Sequence, residues 1–153
     1  MHVLGVSQSG RRVAEAERVY KARDIRKAVA VADFIALTVP LTEATRCLIG
    51  AAELAAMKPS AWLINIARGP VVDETALLDA LRGGRLGGAV LDVFDEEPLP
   101  RGHPLWVLDN VVVTPHISGP STPDEIAPVF AANLARYLAD RPLRHVVNRR
   151  RAY

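Results

Sequence analysis

The sequence has few of the features on which several classes of protein depend. Its 153 residues include a single cysteine, Cys47, which excludes an internal disulfide and a cysteine-based zinc site and is typical of a reducing compartment. No apolar run approaches the ~20 residues of a membrane-spanning helix, and no long apolar core of a secretory signal stands at the N-terminus. We therefore expect a cytoplasmic location, no membrane partner and no metal site.

Aromatic residues and net charge are also low. There are three phenylalanines, three tyrosines and two tryptophans, and 19 basic against 17 acidic residues give a net charge of +2. Much of the basic excess lies near the C-terminus, in Arg144, Arg149, Arg150 and Arg151. A nucleic-acid-binding protein would need a basic face with aromatic or groove-reading elements, so no nucleic acid is expected as a partner.

Apolar segments alternate with helical patterns along the whole chain, and Asp24 is a plausible N-cap in the first helical one. Strands are predicted at residues 2–6, 34–39, 61–66, 88–93 and 110–114. Helices are predicted at residues 20–31, 42–57 with a break at Gly50, 75–81 and 124–138. Continuous apolar strands that alternate with helices indicate a parallel sheet covered on both faces, so the predicted fold class is α/β.

Ionisable residues follow the ends of three predicted strands. Arg68 follows INIA, a carboxylate among Asp95, Glu96 and Glu97 follows GAVLDVF, and His116 ends VVVTPH. Parallel strands bring their carboxyl ends to one edge of a sheet, where ligands bind, so these residues are expected to share a cleft.

Such a set of side chains suits one type of reaction. The arginine would hold a substrate carboxylate, the histidine would transfer a proton at a hydroxyl or carbonyl oxygen, and the carboxylate would orient the imidazole. No side chain can carry the two electrons and the hydrogen that remain to be moved, so a nicotinamide cofactor is implied.

Several segments resemble a known family. INIARGPVVDETALLDAL, GAVLDVFDEEPLP and NVVVTPHISG resemble the signature segments of the D-isomer-specific 2-hydroxyacid dehydrogenases, and the resemblance covers residues 2–148. VPLTEATRCLIGAAELAAMKPSAWLINIARG is similar to the stretch that precedes the arginine in that family. The resemblance implies a Rossmann-like, doubly wound parallel sheet. It also implies an oxidoreductase that transfers a hydride between a nicotinamide cofactor and C2 of a small 2-hydroxy or 2-oxo acid, glyoxylate- or hydroxypyruvate-like.

The same resemblance assigns roles to individual residues. Arg68 matches the family's substrate-binding arginine, His116 matches its acid–base histidine, and the Glu-Pro dipeptide selects Glu97 as the partner of the histidine. Asp92 matches a residue on the nicotinamide side of the cofactor, although it could equally be a loop-capping carboxylate. The other matched positions lie beside the adenosine and ribose or near the nicotinamide: Thr38, Val39, Pro40 and Thr45 in the first group, and Ile66, Ala67, Ser118 and Gly119 in the second.

The choice between the two nicotinamide cofactors depends on the turn after the first predicted strand. Dinucleotide folds place an acidic residue there to bind the ribose 2′-hydroxyl, whereas this chain has Ser7. The hydroxyls of Ser7 and Ser9 and the cations of Arg11 and Arg12 favour a 2′-phosphate, so we predict NADP, with NAD as the alternative. The turn could also be no more than a polar loop.

The glycine fingerprint G-x-G-x-x-G of dinucleotide-binding folds is missing. The resemblance makes the first strand of this chain the second of the family, so an incomplete Rossmann-like domain is expected over residues 1–140, followed by a basic tail at 141–153. In the usual order 3-2-1-4-5-6, loss of strand 1 leaves two interior strands with unpaired edges. We therefore expect an N-terminally truncated dehydrogenase that needs a complementing N-terminal chain or forms a homo-oligomer. The alternative is a non-catalytic nucleotide-binding or protein-interaction module.

Replacing Arg11 and Arg12 with alanine tests the cofactor prediction. The double variant should lose affinity for NADPH much more than for NADH, because only NADPH carries the 2′-phosphate that the arginines would bind. Fluorescence titration with each cofactor measures the two affinities, and equal losses would refute the prediction.

Overall fold

The computed structural model describes residues 1–119 and 121–149, in two compact units, Met1–His116 and Ile117–Tyr153. The last four residues of the predicted basic tail therefore lie outside the described residues. Of the elements in the described residues, the first unit contains all the strands and three short α-helices, and the second contains one longer helix.

The first unit alternates strands with helices. Its strands are β1 Leu4–Ser7, β2 Arg18–Lys21, β3 Phe34–Leu37, β4 Trp62–Asn65, β5 Gly88–Leu91 and β6 Val111–Val113. Its α-helices are α1 Ile25–Val29, α2 Ala51–Ala56 and α3 Glu74–Arg82, and 3-10 turns lie at Ala22–Asp24, Gly69–Val71 and Pro104–Val107. The predicted α/β class is confirmed.

The strands form two parallel sheets rather than one. β1 pairs with β2, and the second sheet has the order β3-β4-β5-β6, with every pairing parallel. Among the described residues, no strand pairs with the second edge of β1 or of β3. These are the two edges that the usual strand order leaves open when its first strand is absent.

The predicted helix over residues 20–31 is wrong at its N-terminal end. Residues Arg18–Lys21 form β2, with Val19 and Tyr20 partly buried and the flanking basic residues exposed. A β-branched and an aromatic residue side by side suit a strand, and pairing with β1 outweighs the local helical spacing. Asp24 does occupy the N-cap position of α1, but its side chain makes no capping bond and instead binds Lys27.

The core of the first unit lies against β4 and β5. Leu63 on β4 and Ala89 on β5 are fully buried, together with Ile49 from the segment before α2 and Val71 from the 3-10 turn after β4. Burial of each large aliphatic side chain stabilises the fold by roughly 1.5–3 kcal/mol. This apolar layer holds the carboxyl ends of β4 and β5 in place, and the turns that follow those strands carry the candidate site.

Helix α3 follows the turn after β4. Asp73 is its N-cap, and the side-chain Oδ1 accepts the backbone N–H of Ala76 at 3.0 Å. Leu77, Ala80 and Leu81 form the buried face, in agreement with the helical spacing predicted for residues 75–81. The capping carboxylate satisfies one of the free N–H groups of the first turn and also favours the positive end of the helix dipole.

The second unit is built on α4, which spans Pro123–Leu138. Thr122 and Glu125 form a capping box at its start, and the predicted helix over residues 124–138 agrees with these bounds. Its large apolar side chains are exposed, among them Ile126, Phe130 and Tyr137. None of the helices in the described part of the chain has the length and apolar character needed to cross a membrane.

Loss of the α3 cap should measurably destabilise the first unit. We expect Asp73→Ala to lower the free energy of unfolding by about 1 kcal/mol, because the Ala76 N–H loses its acceptor. Asp79→Ala is the matched control, since it removes the same charge from an exposed position within the same helix. Urea denaturation followed by circular dichroism measures both variants, and equal destabilisation would contradict the capping role.

Candidate active site

His116 lies three residues beyond the end of β6 and pairs with Glu97. The Nδ1 atom of the imidazole is 2.7 Å from Oε2 of Glu97. His116 has a left-handed backbone, with φ of 55°, and its N–H donates to the carbonyl oxygen of Asp92 at 2.9 Å. A histidine in this region of φ and ψ is uncommon, and the bond to Asp92 holds the turn in that conformation.

Glu97 uses both of its carboxylate oxygens. Oε1 accepts the backbone N–H of Phe94 at 3.0 Å while Oε2 meets the imidazole. The hydrogen bond from His116 is the main cause that lowers the pKa of Glu97, followed by the bond from the Phe94 N–H. Burial opposes these two bonds, and the positive charges of His116 and Arg68 add smaller lowering effects. Glu97 is therefore held as an anion beside the histidine.

The neighbouring carboxylate of Asp95 has different surroundings from that of Glu97. Burial is the main cause that raises the pKa of Asp95, and the negative charges of Glu74 and Asp73 add to it while Arg46 opposes it. Of the three acidic residues between which spacing could not choose, Glu97 is the one that the structure brings to the imidazole.

Arg68 stands on the turn that leaves β4, and Asn65 organises that turn. The Asn65 side chain is 1% exposed; its Nδ2 donates to the carbonyl oxygen of Arg68 at 3.1 Å and its Oδ1 accepts the N–H of Ala67 at 3.0 Å. Arg68 itself is exposed and donates from Nη1 to the carbonyl oxygen of Ala67 at 2.6 Å. Sequence reasoning missed Asn65, although a polar residue that closes an apolar strand just before a functional turn was an available signal.

A largely apolar cavity of about 370 Å³ opens beside the His116–Glu97 pair. Leu99, Trp106 and Val113 contribute to its apolar wall, and Asp92 and Thr114 line it as well. The Trp106 indole donates to the carbonyl oxygen of Pro100 at 2.8 Å, which holds the ring at this wall. His116 and Glu97 line this cavity, so a small ligand bound in it would lie beside the pair.

Asp92 is buried at the end of β5. Its carboxylate accepts a short hydrogen bond from the Thr114 hydroxyl, and its backbone carbonyl accepts the N–H of His116. The residue therefore connects the end of β5 to the turn that carries the histidine. This is a structural role in addition to the cofactor contact that the resemblance implies.

A second histidine has a partner that the sequence did not indicate. His103 Nε2 lies 3.0 Å from Oε1 of Glu74, and its Nδ1 accepts the N–H of Leu105 at 3.3 Å. Because Nδ1 is an acceptor, Nε2 is the donor toward the carboxylate. His103 thus joins the loop after Glu97 to the first turn of α3.

The predicted 2′-phosphate turn follows β1. The Ser7 Oγ accepts the N–H of Gly10 at 3.1 Å, and the Ser9 Oγ accepts the N–H of Arg11 at 3.2 Å. The two hydroxyls therefore order the turn, with Gly10 in the left-handed region at φ of 68°. Arg11 and Arg12 are exposed, and their guanidinium groups form no ion pair with any described residue.

The predicted adenosine and ribose positions form a loop after β3. The Thr45 hydroxyl donates to the carbonyl oxygen of Pro40 at 2.7 Å and accepts the N–H of Thr42 at 2.8 Å, so it orders the loop itself. Thr38 is exposed at the same end of the sheet, and Val39 is half-buried.

The positions predicted near the nicotinamide fall into two groups. Ile66 is partly exposed on the turn before Arg68, and the N–H of Ala67 is occupied by Asn65. Ser118 and Gly119 belong to the second unit, and both are exposed.

The chain matches known proteins over most of its length. Residues 1–118 match the model of the D-isomer specific 2-hydroxyacid dehydrogenase, NAD binding domain. The chain belongs to this family. Glyoxylate/hydroxypyruvate reductase B of Pectobacterium carotovorum subsp. carotovorum is 56% identical over 106 residues, and that of Pectobacterium atrosepticum is 47% identical over 139 residues. These matches cover 68% and 88% of this chain.

Solved structures of other dehydrogenases of the family have the same fold. A D-isomer specific 2-hydroxyacid dehydrogenase from Xanthobacter autotrophicus Py2, in complex with NADPH and MES, is 40% identical with a TM-score of 0.93. An NADPH-dependent glyoxylate/hydroxypyruvate reductase from Sinorhizobium meliloti, in complex with NADP and sulfate, is 33% identical with a TM-score of 0.91. Each match covers 99% of this chain, and 62% and 49% of the respective solved chain. The predicted Rossmann-like fold is confirmed.

The chain spans only a part of its relatives. The two Pectobacterium reductases are covered over 33% and 43% of their length. The family membership therefore applies to the cofactor-binding domain.

Neutralising Glu97 should destabilise the chain in a pH-dependent way. The folded-state pKa of Glu97 lies below its ordinary value, so its contribution to stability is present above the unfolded pKa and is lost as the pH falls through the folded pKa. We expect Glu97→Gln to cost about 0.2–1 kcal/mol near neutral pH, because the side chain is 34% exposed and the pair is partly screened.

The gap in stability between Glu97→Gln and the wild type should close below the ordinary carboxyl range. Glu96→Gln is the control, since it removes a neighbouring charge without removing the partner of His116. Urea denaturation across acidic to neutral pH measures both variants. A gap that stays constant over this pH range would contradict the ion pair.

Proposed function

We propose that the chain is the C-terminal part of a D-2-hydroxyacid dehydrogenase that transfers a hydride between NADP(H) and C2 of a small 2-oxo acid. The observation that carries this proposal is the His116–Glu97 pair, with the charge of Arg68 acting on the same carboxylate. A cation for a carboxylate and a supported imidazole for a carbonyl oxygen are the two protein groups that such a reduction needs.

The geometry assigns a task to each side chain. Nδ1 of His116 faces Glu97, so Nε2 is the nitrogen that gives a proton to the carbonyl oxygen during reduction or takes it from the hydroxyl during oxidation. Glu97 accepts the hydrogen bond from Nδ1 and holds the ring in one orientation. Arg68, exposed on its turn, would bind the substrate carboxylate and thereby direct the carbonyl oxygen on C2 toward the histidine.

The residues present fit a nicotinamide dinucleotide on two counts. The buried carboxylate of Asp92 lines the cavity beside His116, and a cationic turn without a carboxylate follows β1. A bound NADP(H) supplies or accepts the hydride. Arg11 and Arg12 would bind the 2′-phosphate, and the complexes of the Xanthobacter protein with NADPH and of the Sinorhizobium reductase with NADP support this preference over NAD.

The substrate proposed is glyoxylate or hydroxypyruvate. Its support is the name of the relatives, since several glyoxylate/hydroxypyruvate reductases share 47–56% identity with this chain. A small 2-oxo acid also suits the cavity of about 370 Å³ beside the histidine. The cytoplasmic location expected from the composition stays a prediction.

A second polypeptide segment is proposed to complete the enzyme. β1 and β3 each have one edge without a partner among the described residues, and such edges of apolar parallel strands favour pairing with a further strand. An N-terminal half that supplies this strand and the glycine-rich loop would restore the usual sheet order. The alternative is a module that binds nucleotide or protein without turnover, and these same open edges are the observation that favours it.

Activity with a supplied N-terminal half tests the proposal. Oxidation of NADPH by glyoxylate and by hydroxypyruvate is followed for the chain alone and for the chain mixed with the N-terminal part of a Pectobacterium reductase. His116→Asn should lower kcat by about 10²–10⁴-fold, because the proton donor is lost. Arg68→Lys should mainly raise KM for the oxo acid, because a lysine cannot form the paired hydrogen bonds of a guanidinium with a carboxylate.

Arg82→Lys is the control for Arg68→Lys, since Arg82 is exposed at the end of α3. Arg82→Lys should leave both kcat and the KM for the oxo acid unchanged. A mixture that binds NADPH but reduces neither substrate would refute the enzymatic proposal and favour the binding module.

A further inference from the structure

Gly69 packs its backbone directly against the segment that leads to Glu97. A Cβ atom added at Gly69 would lie 2.0 Å from the carbonyl carbon of Phe94, 2.1 Å from its oxygen and 2.5 Å from the nitrogen of Asp95. All three are backbone atoms, so no side-chain rotation could relieve the contact. The turn that carries Arg68 and the turn that carries Glu97 therefore touch at a point where only glycine fits.

The Arg68 side of this contact is held from two directions. Asn65 binds the turn through its side-chain bonds to Ala67 and to Arg68. On the other side, Cys47 N–H donates to the carbonyl oxygen of Pro70 at 2.9 Å, and Ile49 N–H donates to that of Val71 at 3.2 Å. This turn has little freedom to retreat from a larger residue at position 69.

The Glu97 side of the contact is held less firmly. Phe94 is buried, but residues 95–98 are exposed. Phe94 connects the two turns, because its carbonyl group touches Gly69 and its N–H donates to Oε1 of Glu97. A shift of the Phe94 backbone would therefore move the donor that holds the glutamate.

We propose that Gly69 is a positioning residue, whose backbone contact with Phe94 holds Glu97 within reach of His116. The catalytic meaning of this role rests on the function proposed above, whereas the contact itself does not. Gly69 would act through Phe94 and Glu97 and touch neither substrate nor cofactor.

Gly69→Ala tests the proposal through the titration of Glu97. In the 153-residue chain with ¹³C-labelled glutamate, the side-chain carboxyl signal that disappears in Glu97→Gln identifies this residue, and its pKa is followed by NMR. In Gly69→Ala the pKa of Glu97 should rise toward its ordinary value, because the displaced Phe94 N–H and the altered distance to His116 no longer lower it. If Gly69 had no part in positioning Glu97, the pKa of Glu97 would be the same in Gly69→Ala as in the wild type.

Gly102→Ala is the matched control, because a Cβ atom at Gly102 meets nothing within 4 Å and the residue lies on the loop that follows Glu97. It should leave the pKa of Glu97 at the wild-type value. Circular dichroism establishes that each variant is folded. A folded Gly69→Ala chain in which Glu97 titrates as in the wild type overturns the proposal.

Asn65→Ser is the second variant, and it decides the question if Gly69→Ala does not fold. It leaves Gly69 in place but removes the donation to Arg68, so the turn loses one of the two sets of bonds that hold it against Phe94. The pKa of Glu97 should rise again, by less than in Gly69→Ala, and an unchanged pKa overturns the proposal. Neither cofactor nor substrate is present, so a chain without dehydrogenase activity still gives the answer.

Discussion

The buried amide of Asn65 is the interaction on which the geometry of the candidate site depends. The residue ends β4, its backbone carbonyl accepts the N–H of Asp92, and its side chain binds both Ala67 and Arg68. A buried amide left without partners costs about 1–3 kcal/mol, so the turn and the sheet are stable only together. The direction in which the chain leaves β4 is therefore set by hydrogen bonds as well as by packing.

Hydrogen bonds and nearby charges both act on the carboxylate of Glu97. Glu97 receives one N–H from its own turn and one nitrogen from His116, while the charge of Arg68 acts from the neighbouring turn. The hydrogen bond from His116, followed by the backbone bond from Phe94, does most to lower the pKa of Glu97, and the positive charges of His116 and Arg68 add smaller effects. His116 depends in turn on Asp92, whose carbonyl holds the left-handed turn at the end of β6.

The sequence predicted those parts of the fold that are encoded in local patterns. The apolar runs located β3 to β6, and helical spacing located α3, because each pattern covers a whole element. The contact between Glu97 and His116 agrees with the rule that parallel strands end at one edge, and the place of Arg68 in the same site stays a prediction. β2 was missed because four residues are too short a run to outweigh an adjacent helical pattern, and its partner β1 is distant in sequence.

Contacts between distant segments could not be predicted in the same way. The role of Gly69 is visible only from its contact with Phe94, and the role of His103 only from its contact with Glu74. Neither contact has a spacing that a single sequence reveals. The choice of Glu97 among three adjacent carboxylates also needed the family resemblance, since all three could have reached the cleft.

The separation of β1 and β2 from the larger sheet has a consequence for the dynamics of the chain. A two-stranded sheet is marginally stable by itself, and here its ladder is not continuous with that of β3 to β6. Its stability therefore depends on packing against α1, and we expect it to open at a smaller free-energy cost than the four-stranded sheet. Arg11 and Arg12 lie on the segment that connects these two strands, so a nucleotide bound there as proposed would also stabilise their pairing. Under that proposal, cofactor affinity and the amide-exchange protection of β1 and β2 would be thermodynamically linked.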